Sequence, residues 1–177
     1  MSTRRRTLIL AWGNPGRLDD GLGPALANIA SDWALPGVTI DAQYQLQVED
    51  AEAAARYERV VFVDADRAGP APFSIKRLRP GPPGISFSSH SVTPGGLLAL
   101  TRELYGREPE AWLLGIRGYD FDRFEESLSA PARHNLEAAA DFVAAALAAD
   151  RFGEYPPVSP PCPADRTSDL TRLEGAS

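Results

Sequence analysis

The residues best suited to chemistry lie in Gly13-Asn14-Pro15-Gly16-Arg17-Leu18-Asp19-Asp20-Gly21-Leu22-Gly23. The stretch follows a short apolar run, Leu8-Ile9-Leu10-Ala11-Trp12, and precedes apolar residues at helical spacing, Leu22, Ala25, Leu26, Ile29 and Trp33. Glycines and two adjacent carboxylates therefore sit where a strand hands over to a helix. In open α/β sheets ligands bind at such places, outside the carboxyl ends of the strands. A phosphate loop would offer backbone N–H groups and positive charge. Two anions would repel phosphate, so this loop suits a cation. Two further residues extend the set. Asp64 closes the apolar run Val60-Val61-Phe62-Val63, and His90 stands among Ser88, Ser89 and Ser91. An imidazole with two carboxylates complements a borderline divalent metal.

Each residue also has a plainer role open to it. Asp20 would make a good cap for the following helix, and so would Asp19, which would leave Asp20 free. Asp64 would be costly to bury without a cation or hydrogen bonds; it could instead close an Asx turn or pair with Arg67. Asp66 lies two residues on and points to the same side of an extended chain. His90 could be a surface loop residue. His134, the second histidine, falls in the first turns of the last helix and serves as the contrast, read as structural or exposed. Other chemistries lack their motifs. There is no Gly-x-Ser-x-Gly elbow and no His-Glu-x-x-His helix, and Gly21-x-Gly23 lacks the third glycine of a dinucleotide fingerprint. Cys162 lies in a proline-rich stretch, a poor place for a nucleophile.

These residues need a frame. Strands are expected at 7–12, 38–42, 59–64, 73–78 and 111–117, and helices at 22–34, 47–57, 94–105 and 130–149. The alternation implies an α/β fold: three layers, with a twisted, mostly parallel five-stranded sheet between helices. The runs at 59–64 and 111–116 are near-continuously apolar, as buried parallel strands are. No helix separates 73–78 from the strand before it, so an antiparallel edge strand is expected there. Thr93 and Pro94 signal the start of one helix, and Ser129 with Pro131 that of another. The loop 79–84, rich in proline and glycine, reads as a flap before His90. Pro156, Pro157, Pro160, Pro161 and Pro163 end the regular pattern, dividing the chain into a domain, 1–151, and a proline-rich tail, 152–177.

The pattern Gly13-Asn14, four residues, then Asp19-Asp20-Gly21-x-Gly23 resembles the hydrogenase maturation endopeptidases, which trim the C-terminal extension of a nickel-containing hydrogenase large subunit. The resemblance covers roughly residues 7–149. It implies a phosphorylase/hydrolase-like three-layer fold and a metal-binding set matched here by Asp20, Asp64 and His90. It further implies a nickel-dependent endopeptidase acting on a large-subunit precursor, with the nickel supplied by that precursor. Gly118 departs from the proline of many relatives, and Tyr119-Asp120-Phe121-Asp122-Arg123-Phe124 looks lengthened. A non-catalytic nickel-sensing or chaperone-like module of hydrogenase assembly would keep the same three residues. Gly13-Asn14-Pro15-Gly16 and Arg133-His134-Asn135 also resemble motifs of peptidyl-tRNA hydrolase. In that family, however, the histidine follows the first motif closely, whereas here it comes more than a hundred residues later.

Composition sets the outer bounds. The chain has 177 residues and a net charge of −6, which suits one domain and argues against a nucleic-acid partner. A single cysteine excludes an internal disulfide. No apolar run approaches the ~20 residues of a membrane span. Arg4-Arg5-Arg6 precedes an apolar run too short for a secretion signal. The expected protein is cytoplasmic, without membrane contact, and a monomer.

Overall fold

A computed structural model describes residues 4–81 and 92–153. His90 and the flap residues 82–84 lie outside the described residues, as does the tail from residue 154, so those expectations stay open. The elements run β1 (Thr7–Trp12), a 3-10 turn (Leu18–Gly21), α1 (Leu22–Ser31), β2 (Val38–Gln43), α2 (Asp50–Ala55), β3 (Arg59–Asp66), β4 (Phe73–Leu78), α3 (Pro94–Tyr105), β5 (Glu110–Arg117) and α4 (Ala130–Ala148).

The strands form one sheet in the order β2-β1-β3-β5-β4. All neighbours are parallel except β4, which runs antiparallel to β5 at the edge, as expected. The central strands are apolar on both faces because both are covered. Ile9, Ala11, Val61, Val63, Leu114 and Ile116 pack with Leu22 and Leu26 of α1 and Leu136 and Val143 of α4. Leu8, Leu10, Val60 and Phe62 face the other way, toward Ala51 and Ala54 of α2 and Leu97 and Leu98 of α3. Two cores on either side of one sheet make the three layers.

The helix signals work as their chemistry requires. Thr93 Oγ1 accepts the Gly96 N–H at 3.1 Å, Pro94 opens α3, and Gly106 closes it at φ 63°. Ser129 caps α4. Several boundaries differ from expectation: α1 ends at Ser31 rather than 34 and α2 at Ala55 rather than 57, and two other differences have a visible cause. α2 begins at Asp50 rather than 47, because residues 47–50 form a turn in which the Asp50 carboxylate accepts the Gln47 N–H at 2.8 Å and the Asp50 N–H donates to Gln47 O at 3.2 Å. β3 runs on to Asp66, because Asp64 and Asp66 keep their register with Gly115 and Arg117 of β5. Asp64 therefore lies within the strand rather than at its end.

The order of strands creates a crevice. From β1 the chain moves to β2 on one side, then crosses to β3 on the other. The carboxyl ends of β1 and β3 thus flank the point where the winding reverses, where doubly wound sheets bind ligands. Among the described residues no helix is long and apolar enough to cross a membrane.

Candidate metal centre

The turn after β1 is built so that Asp20 returns to where the strand ended. Gly13 takes φ 139°, and a Cβ there would overlap the Asp20 carbonyl oxygen. Asn14 Oδ1 accepts the Gly16 N–H at 2.9 Å and folds the turn, while the Asn14 N–H donates to Asp20 Oδ2 at 2.9 Å. Among the described residues that is the only hydrogen bond to the Asp20 carboxylate. Gly23 lets α1 lie directly on the sheet: a Cβ there would overlap the Trp12 carbonyl oxygen and come within 3.0 Å of that of Val63. The glycine spacing of the motif is thus a packing requirement between helix and strands.

Neither carboxylate caps α1. The N-cap residue is Gly21, with no side-chain cap bond. Asp19 is instead fully buried, 0% exposed, and turns away from Asp20. Its Oδ2 accepts the N–H groups of Tyr119 and Asp120 at 2.8 and 3.0 Å and the Ser129 hydroxyl at 2.7 Å; its Oδ1 accepts the Ser129 N–H at 2.7 Å. Burial alone would raise this carboxyl, but the four donors outweigh it and hold it below its ordinary value.

Asp64 is partly buried beside Asp20. Burial pushes its carboxyl up to about 6; the Ala65 N–H, donating at 2.8 Å, and the Trp12 side chain oppose this, while the charges of Asp20 and Asp66 add to it. The plainer roles fall to other residues. Asp66 makes the Asx-type turn, its Oδ1 accepting the N–H groups of Ala68 and Gly69 at 2.9 and 2.7 Å. Arg67 approaches Asp122 at 3.9 Å and stacks on Phe121 at 4.0 Å.

The structure thus brings Asp20 and Asp64 together at the crevice as two carboxylates that repel each other. A divalent cation between them would turn that repulsion into attraction. Among the described residues no group of three potential ligands forms a complete metal cluster; the third expected ligand, His90, lies outside them. His134 is exposed on α4. Sequence reasoning missed the interior role of Asp19 and its partner Ser129. The only signal available was a strong helix cap, Ser129, on a helix whose start has to face some other segment.

No family model matches the chain, and no curated protein matches it. Solved structures do. A [NiFe] hydrogenase maturation protease, HycI from Thermococcus kodakarensis KOD1, is 24% identical over 83% of this chain and 95% of its own, with a TM-score of 0.64. The hydrogenase 2 maturation peptidase from Thaumarchaeota archaeon SCGC_AB-539-E09 is 25% identical over 80% of this chain and 97% of its own, with a TM-score of 0.59. The hydrogenase maturating endopeptidase HybD from E. coli is 20% identical over 82% and 93%, with a TM-score of 0.66. The likeness covers nearly all of each neighbour.

Proposed function

We propose that this chain, which has the fold of the hydrogenase maturation proteases, is itself an endopeptidase that removes the C-terminal extension of a nickel-loaded hydrogenase large-subunit precursor. The observation that carries the reading is the pairing of Asp20 with Asp64 at the reversal point of the sheet. A site whose carboxylates repel when empty favours a partner that brings its own cation. Nickel enters as part of the substrate. Asp20, Asp64 and His90 engage it, and this contact aligns the adjoining peptide segment for hydrolysis. A precursor without nickel offers the carboxylates nothing to bind and is left uncut. The protein works in the cytoplasm, as a monomer, on a protein client rather than on nucleic acid or membrane.

The test is to incubate the chain with nickel-loaded and nickel-free precursor and weigh the products. The expected result is loss of a C-terminal peptide from the loaded form only. Nickel-dependent association without any loss of mass would instead support a non-catalytic nickel-sensing or chaperone-like module.

A further inference from the structure

We propose that Asp19 is a positioning residue of this site: clamped between the segment after β5 and the start of α4, it fixes the backbone that holds Asp20 against Asp64. The inference rests on the endopeptidase reading and adds to it a residue that touches neither metal nor substrate.

Two neighbouring carboxylates point in opposite directions, and the backbone is bent to make them do so. Leu18 takes φ 49°, the left-handed region, although it is a branched residue and only 3% exposed. Such a conformation persists where the surroundings over-determine it. Here they do. The Leu18 N–H donates to Glu125 O, the Asp19 N–H to Asp120 O, and the Glu125 N–H to Gly16 O, each at 3.0 Å. The Asp19 carboxylate adds its four bonds to Tyr119, Asp120 and Ser129. Gly118 makes the room: a Cβ there would stand 2.9 Å from Asp19 Cβ and 2.7 Å from the Phe121 ring.

The clamp has a physical task. Among the described residues the one hydrogen bond to the Asp20 carboxylate comes from its own turn, the Asn14 N–H at 2.9 Å. A loose turn would let Asp20 swing away from Asp64. Asp19 removes that freedom, so ordering Asp20 is not charged against metal binding.

The experiment titrates nickel(II) chloride, alone, into the unaltered chain and into Ser129→Ala, Ser129→Thr and Asp19→Asn, following heat, thermal unfolding and near-UV circular dichroism. Ser129→Ala removes one of the four donors and Ser129→Thr restores the hydroxyl. The expected result is a loss of nickel affinity of about 10–100-fold in Ser129→Ala, the range typical of groups that orient metal ligands, with rescue in Ser129→Thr. The same change made on an Asp20→Asn background should alter affinity less than about twofold, because the residue acts through Asp20. A Ser129→Ala protein that melts earlier yet binds nickel as tightly as the unaltered chain would overturn the positioning role and leave the endopeptidase reading intact. An unaltered chain that neither binds nickel(II) nor cuts the loaded precursor would overturn both.

Discussion

Burying the Asp64 carboxylate, with the charge of Asp20 beside it, costs the folded state energy when Asp64 is ionised, and the cost has a definite pH dependence. The Asp64 carboxyl is raised from its ordinary value of 3.8 to about 6. Its proton is therefore held more tightly in the folded chain than in the unfolded one. The penalty is absent below pH 3.8, grows as pH rises toward 6, and is complete above it. Asp64→Asn keeps an acceptor for the Ala65 N–H and abolishes the charge. It should stabilise the chain by about 1–3 kcal/mol at pH 8 and by nothing near pH 3; urea unfolding at the two values measures this. Asp19 has the opposite sign. Its carboxyl is lowered, so its contribution is complete above the ordinary range and is lost as pH falls through its folded value. Asp20→Asn distinguishes binding from capping. Because Asp20 does not cap α1, the melting temperature should stay within about 2 °C, while cleavage of a nickel-loaded precursor should fall by about 100-fold or more. A drop in stability with cleavage preserved would return Asp20 to a structural role.

Among the elements, α1 meets the sheet with no room for a side chain between them. The helix begins over β1 and β3 with Gly23 against the carbonyl oxygens of Trp12 and Val63. Gly23→Ala should push the helix start away from both strands, at a cost of about 1–3 kcal/mol by overpacking. The displacement would also move the turn that carries Asp20. Stability by chemical denaturation and cleavage rate should therefore fall together, unlike in Asp20→Asn. Retained activity in a destabilised Gly23→Ala protein would separate the helix contact from the site.

For the whole molecule, the edge of the sheet opposite the site fastens the end of α4. Arg59, 1% exposed, donates to Asp150 Oδ1 at 2.7 Å and lies 3.5 Å from Glu110, which also pairs with Arg5 and Arg77. The Trp112 indole N–H, donating at 2.8 Å, and these cations hold the Glu110 carboxyl below its ordinary value, against its burial. Asp150→Ala leaves the buried guanidinium with Glu110, the residue-150 carbonyl and the Phe152 ring but without its closest carboxylate, and should cost about 3 kcal/mol, read from urea unfolding at pH 7. The next residues matter too. Phe152, placed in the tail by the proline pattern, is 7% exposed, with its ring 6.3 Å from Trp112 and 6.2 Å from Phe142. Deleting residues 154–177 should leave the melting temperature unchanged, while deleting 152–177 should lower stability by about 3 kcal/mol or more through the lost aromatic. Equal stability of the two truncations would show that Phe152 contributes nothing.

What the sequence by itself determined was whatever is written in local periodicity and local chemistry. Apolar runs marked five strands, and Thr93 and Ser129 marked helix starts. Glycine and carboxylate spacing marked the turn after β1 as a cation site. Such signals are local because a residue's effect on its own backbone and face is local. The sequence favoured Asp64 over Asp66 by its apolar run and by resemblance, and the tertiary structure supplies the physical reason: Asp66 reaches the N–H groups of Ala68 and Gly69, and Asp64 is left beside Asp20. Asp19 was illegible as anything but a cap, because its partners lie 100 residues or more along the chain. Only the order β2-β1-β3-β5-β4 carries β1 beside β3 and the turn after β5 over the turn after β1. Burial between those segments then decides which carboxylate is interior support and which is left to meet a ligand.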